Sequence, residues 1–258
     1  MNRSPRRALN PLPQPALHKR CPAQHWKLLI SLWLCCLALP VQAKRPTAPP
    51  ANASSILNSS EPRPHHHSRQ EEQACHKRLR RHGVKFVRVR RKKARGVQYP
   101  IRLQGPVGGI SIYNGNPDSP TNILDCRLAL ALLAWAPVLR ELDIVGIRHM
   151  SMYRKGGRVA TTGQPSGHAY GMAIDVGYFK MRSGAQLEIL KDWGNRARGS
   201  NPCRTRMLDD AEARVLRHVT CQAAKKQIFQ VILTPHYNRA HRNHLHLELK
   251  PGTEPYIH

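Results

Sequence analysis

Two short runs near the C-terminal end hold the residues best suited to chemistry. They are Ser166-Gly-His168-Ala-Tyr-Gly171-Met-Ala173-Ile-Asp175 and His241-Arg-Asn-His244-Leu-His246. Imidazoles and a carboxylate at these spacings suit one divalent cation with further histidines beside it. A catalytic zinc site needs three protein ligands and one open position, and two histidines with one carboxylate form such a set. On a strand, residues two apart point to the same face. His244, His246 and Glu248 therefore share a face, while Leu245, Leu247 and Leu249 turn to the core. Burying neutral imidazoles without partners is costly, so that face serves either a metal or a hydrogen-bonded polar edge. Between His168 and Asp175, the small residues Gly171 and Ala173 keep the backbone slim, as Gly167 does just before. Slim backbone lets a cation and a substrate both approach the main chain. The chemistry implied is metal-assisted hydrolysis.

Helices and short strands must position these groups. Asp125 caps a helix over Cys126 to Leu142, where Leu128, Leu132, Trp135 and Leu139 recur at helical spacing and mark a core face. Glu71 to His82 predicts a shorter helix closed by Gly83, a residue tolerant of a left-handed cap. A third helix runs from Asp209 to Cys221 or beyond. Strands are predicted over Val84–Val89, Asp143–Tyr153, Ile174–Phe179, Phe229–Leu233 and His244–Leu249, with a hairpin turn at Gly156-Gly157. Leu187 to Trp193 reads as a short strand entering a helix. Between Val97 and Ile112, apolar runs broken by Pro100, Gly105-Pro106 and Gly108-Gly109 predict strands or extended loops. Interleaved helices and short strands suit an α+β class. One domain over 71–252, with a tail at 253–258, accounts for the pattern.

Residues 1–43 stand apart. A basic stretch without acids precedes an apolar run from Leu28 to Leu39, and Val41-Gln42-Ala43 ends it as a cleavage pattern. This is the layout of a secretory signal peptide, the alternative being an uncleaved N-terminal anchor. The run is shorter than the ~20 residues a membrane-spanning helix needs. Residues 44–70 are rich in Pro, Ser, Asn and Ala, and read as a disordered tether whose His65-His66-His67 cluster is a solvated tract. Without residues 1–43, four cysteines remain: Cys75, Cys126, Cys203 and Cys221. An even count fits an oxidising compartment. Cys203 and Cys221 flank a helix and can staple it, leaving Cys75 with Cys126, although four cysteines allow three pairings.

The chain carries a formal charge of +27, and removing residues 1–43 leaves 36 basic residues against 15 acidic ones. Such a balance raises nucleic acid as a partner. Against that, the basic runs lack interleaved aromatics, and aromatic residues make up only 5% of the chain, too few for a stacking platform. No specific nucleic-acid partner is expected. A membrane contact is expected only through an uncleaved signal sequence.

The spaced pattern Ser166-x-His168-x-x-Gly171-x-Ala173-x-Asp175, then His241-x-x-His244-x-His246, resembles the signature of the zinc D-Ala-D-Ala metallopeptidases. That superfamily includes D,D-carboxypeptidases, peptidoglycan endopeptidases and the hedgehog signalling domain. More closely, Cys126-Arg-Leu-Ala-Leu-Ala-Leu, the His168–Asp175 segment, Leu190-Lys-Asp-Trp193 and the stretch Pro235 to His246 resemble the bacterial extensin-like C-terminal domain family. The similarity covers about residues 71–250. It implies a small antiparallel sheet, flanked by helices, that carries zinc (Zn2+) on His168, Asp175 and His246. It also implies His241 as general base and later acid, with His244 holding or polarising the oxyanion; the reverse division is the alternative. Ser151-Met-Tyr-Arg154 is similar to a Ser-Gly-Tyr-Arg stretch of bacterial D,D-peptidases, which implies that Arg154 binds a substrate carboxylate or carbonyl through its planar fork. Ser166 either orders the loop or contacts substrate. The chain departs from the family over Arg90–Gly96, where a Gly-Cys-Gly element is expected and no cysteine stands, leaving the partner of Cys75 open. The implied function is an exported peptidase of the bacterial periplasm or cell envelope acting on peptidoglycan peptides. The alternative is a catalytically silent, zinc-containing envelope module.

Overall fold

The computed structural model describes residues 69–206 and 210–258. The expectations placed on residues 1–43, and on the tether with its histidine cluster, lie outside them except at the tether's end. Helix α1 (Arg69–Arg81) begins at residue 69, inside the span expected to be tether. Glu71 and Glu72 in its first turn and three arginines in its last complement the helix dipole, and Leu79 is fully buried. Strand β1 (Phe86–Arg88) follows, then β2 (Pro100–Leu103), β3 (Ser111–Tyr113) and β4 (Ile123–Asp125). Helix α2 (Cys126–Glu141) is capped by Asp125, whose carboxylate accepts from the Arg127 amide. Next come β5 (Ile144–Ser151), β6 (Ala173–Met181), β7 (Gln186–Glu188) and the single turn α3 (Ile189–Asp192). Helix α4 (Ala211–Lys225), capped by Asp210, leads to β8 (Val231–Leu233), β9 (Leu245–Glu248) and β10 (Tyr256–Ile257).

The main sheet runs β10-β8-β9-β6-β5-β3, with β7 paired beside β6. Its centre is antiparallel, as expected, but both outer pairs, β3 with β5 and β10 with β8, are parallel. The sheet is therefore mixed. The expected tail at 253–258 contains β10, so the ordered chain runs past 252. A separate three-stranded sheet joins β1, β2 and β4.

The leucine stripe of α2 is buried, as its spacing predicts, and Trp135 sits at its centre. The indole meets Phe179 and Phe229 edge-on at 5.8 and 5.6 Å, and its nitrogen donates to the Val219 carbonyl on α4. Edge-to-face aromatic pairs contribute about 1 kcal/mol beyond area burial. Two register shifts between β5 and β6 matter for the site. Arg148 pairs with Tyr178 and His149 with Val176, so Gly177 bulges out of β6; Met150 is likewise skipped in β5 before Ser151 meets Asp175. A bulge flips the alternation of faces. It lets Val176 and Phe179 both enter the core while Asp175 faces the other way.

Both disulfides form: Cys75–Cys126 ties α1 to the start of α2, and Cys203–Cys221 ties the preceding segment to α4. That closes the question left by the missing cysteine near residue 92. Among the described residues, no helix is long and apolar enough to cross a membrane.

Candidate metal centre

Sheet register brings two of the three expected ligands together. Asp175 on β6 stands opposite His246 on β9, and Ser151 on β5 stands opposite Asp175. Directly opposed residues share a face, here the one turned away from Leu245 and Leu247. The third ligand comes from a short 3₁₀ turn, Gly167–Tyr170, laid over that face. The buried Ser166 hydroxyl accepts from the His168 amide and starts the turn; Gly171, at φ 63°, ends it. A side chain at Gly171 would come within 2.9 Å of the Asp125 amide nitrogen. Gly167 is equally constrained, since its Cβ would lie 2.5 Å from the Glu248 carboxyl carbon. The glycines of the motif thus serve close packing of the turn against β4 and β9. Ser166, expected as a loop-orderer or substrate contact, is used as the cap.

His168 Nε2, Asp175 Oδ1 and His246 Nδ1 converge, with His168 Nε2 3.0 Å from the carboxylate oxygen and 3.1 Å from His246 Nδ1, which lies 2.9 Å from the same oxygen. All three residues are buried. The outer nitrogens of both rings are spoken for. His168 Nδ1 lies 3.2 Å from the Met152 carbonyl, which can only accept, so this nitrogen carries the hydrogen and Nε2 presents a lone pair. His246 Nε2 lies 2.9 Å from the Glu248 carboxylate, so in the neutral ring Nδ1 presents a lone pair as well. Three acceptors therefore meet at one buried point, a repulsive arrangement unless a proton or a cation sits among them. Burial alone would lower the pKa of His246, but the carboxylates of Asp175 and Glu248 outweigh it and raise the ring to about 9. Burial holds His168 below its ordinary value. Asp175 is opposed by burial, yet its histidine hydrogen bonds hold it well below the usual carboxylate range. The donor set, one carboxylate and two oriented imidazoles, fits a divalent cation.

His244 and His241 stand beside this triad. His244 Nε2 is 3.6 Å from Asp175 Oδ1, and its Nδ1 is 3.0 Å from the Asn243 side-chain oxygen. His241 packs against His244 at 5.0 Å between ring centres and against His246 at 6.0 Å; its Nδ1 donates to Asn238 Oδ1 at 2.8 Å. Burial is the main cause that lowers both rings, His241 to about 4, so both are neutral at pH 7 with Nε2 free to accept a proton. Arg154, half-exposed, places a guanidinium nitrogen 3.6 Å from Asp175 Oδ2, which also accepts from the Ser151 hydroxyl at 3.2 Å.

Every residue singled out in the two runs and at Arg154 is gathered here. Reading the sequence missed the partners that orient them: Ser151, the Met152 carbonyl, Asn238, Asn243 and the role of Glu248. Glu248 left a signal, two residues beyond His246 on the same strand face, and Ser151 left one as the first residue of the stretch that ends at Arg154.

The family described as extensin-like protein C-terminus matches residues 73–256. No curated protein and no solved structure matches the chain.

Proposed function

The chain belongs to the extensin-like C-terminal family, and on that premise we propose that it is an exported zinc peptidase that hydrolyses amide bonds in peptidoglycan stem peptides. The observation that carries the reading is the meeting of three lone-pair donors, His168 Nε2, Asp175 Oδ1 and His246 Nδ1, at one buried point. Zinc held by these residues would lower the pKa of a water towards ~7 and polarise a substrate carbonyl. The Met152 carbonyl and Glu248 fix the two rings, as outer partners of metal-binding histidines do.

The remaining groups divide the work by protonation state. An oxyanion needs a hydrogen-bond donor, and neutral His244 turns an acceptor towards the ligands. Its position beside Asp175 therefore supports His244 as the general base, the second of the two divisions weighed from the sequence. Having accepted a proton, it can return it to the leaving amine. Arg154 supplies donors for a substrate carboxylate or carbonyl at the exposed rim. His241 packs against His244 and holds the imidazole pair in place.

Incubating the full chain with purified sacculi, and reading the released muropeptides by mass, tests the proposal. New fragments that vanish in His244→Ala, while zinc stays bound, support it. A second reading, the silent zinc module, is favoured if His244 closes the site as a fourth ligand. In that case His244→Ala loses zinc and the wild type releases nothing.

A further inference from the structure

Behind the turn that carries His168 lie two adjoining cavities, one of about 650 Å³ and one of about 340 Å³. They meet at Arg95, Gly96, Pro165 and Tyr170, which line both. Cations stand along both: Arg91, Arg127 and Lys250 around the larger, Lys155 and Arg158 around the smaller, and Arg95 between them. Glu248 is the one acid in either lining, and it is bound to His246. Arg127 is paired with Asp125, and Arg91 lies 3.8 Å from Glu72. Arg95, Lys155 and Lys250 are exposed and make no ion pair among the described residues. The floor is apolar or bare backbone: Ala94, Val97 and Met172 line it, and Gly96, at φ 90°, would put a Cβ 2.7 Å from the Ala169 carbonyl oxygen. Tyr170, 44% exposed, stands where the two cavities join.

Each cavity is lined by residues next to the metal centre, though by none of its three expected ligands. Gly167 and Glu248, in the larger cavity, adjoin His168 and hydrogen-bond His246 respectively. Lys155, in the smaller, follows Arg154 at the rim beside Asp175. Uncompensated cations over an apolar floor complement a chain that carries carboxylates among small apolar side chains. We infer that the groove binds an acidic peptide of small residues and delivers it to the metal centre. The delivery rests on the peptidase reading; the binding does not.

The probe is a fluorescent peptide, acetyl-Ala-Glu-Ala-Glu-Ala-amide, titrated with the full chain and followed by anisotropy. Arg95→Glu with Lys155→Glu, both at exposed positions, should weaken binding about tenfold or more, as should replacing both glutamates of the probe by glutamine. Rising salt should weaken binding as well. His168→Ala, which disables the metal centre, should bind the probe as the wild type does. Equal affinity for the glutamine peptide, no effect of the charge reversals at unchanged circular dichroism, or preference for an oligonucleotide or polyphosphate of equal charge would each overturn the inference. Binding lost in His168→Ala but kept in the charge reversals would assign the peptide to the metal centre instead.

Discussion

At the level of single residues, the site is a problem in acceptor repulsion, and its partners give sharp expectations. Glu248 holds the outer nitrogen of His246, so Glu248→Ala should weaken zinc binding about 10- to 100-fold in a chelator competition. Unchanged affinity would leave that carboxylate without a role at the site. His244→Ala should lower turnover by about 10²- to 10⁴-fold while zinc is retained, the range for a general acid–base group. His241→Ala should cost less, and the opposite order would exchange the two roles. The candidate ligands were legible because imidazole pairs on an alternating strand have few other uses. Their orienting partners were not. A backbone carbonyl such as that of Met152 has no side-chain signature, and Ser151 meets Asp175 only through a register set by a bulge.

At the level of elements, β5 carries a group that nothing else uses. His149 is 2% exposed, and neither ring nitrogen has a hydrogen-bond partner among the described residues. Burial depresses it to about 4 from an ordinary 6.5. The unfolded chain therefore takes up a proton near pH 6.5 that the folded chain refuses until about pH 4. Stability contributed by neutral His149 is complete above the unfolded value and is lost as pH falls from 6.5 towards 4, by about 3 kcal/mol in all. His149→Leu should flatten that decline in denaturant titrations at pH 7, 5.5 and 4.5; an unchanged slope would show that the ring is hydrated or bonded. The elements themselves were unevenly readable. Helix α2 followed from its leucine stripe, and β9 from its alternation. Strands β3 and β10, three and two residues long, pair in parallel with chain distant in sequence. Nothing local to such short segments specifies a partner or its direction, so the pattern leaves the first open between strand and extended loop and reads the second as tail.

At the level of the whole molecule, a sheet lays one face on the helices and lends the other to a turn from between two of its strands. The cross-link Cys75–Cys126 spans 51 residues of chain and holds α1 against α2. By loop entropy it contributes about 4 kcal/mol. Replacing both cysteines by serine should lower the melting temperature by about 10 °C, and scanning calorimetry that finds no drop would show the pair to be dispensable. The central claim is that folding gathers His168, Asp175 and His246 around one cation. Elemental analysis of the purified full chain tests it most directly, with zinc and iron counted together because the same donor set serves iron(II) in other proteins. The account predicts about one zinc per chain, and none in Asp175→Ala. No bound metal in the wild-type chain, or a full complement of metal in the variant, would contradict it.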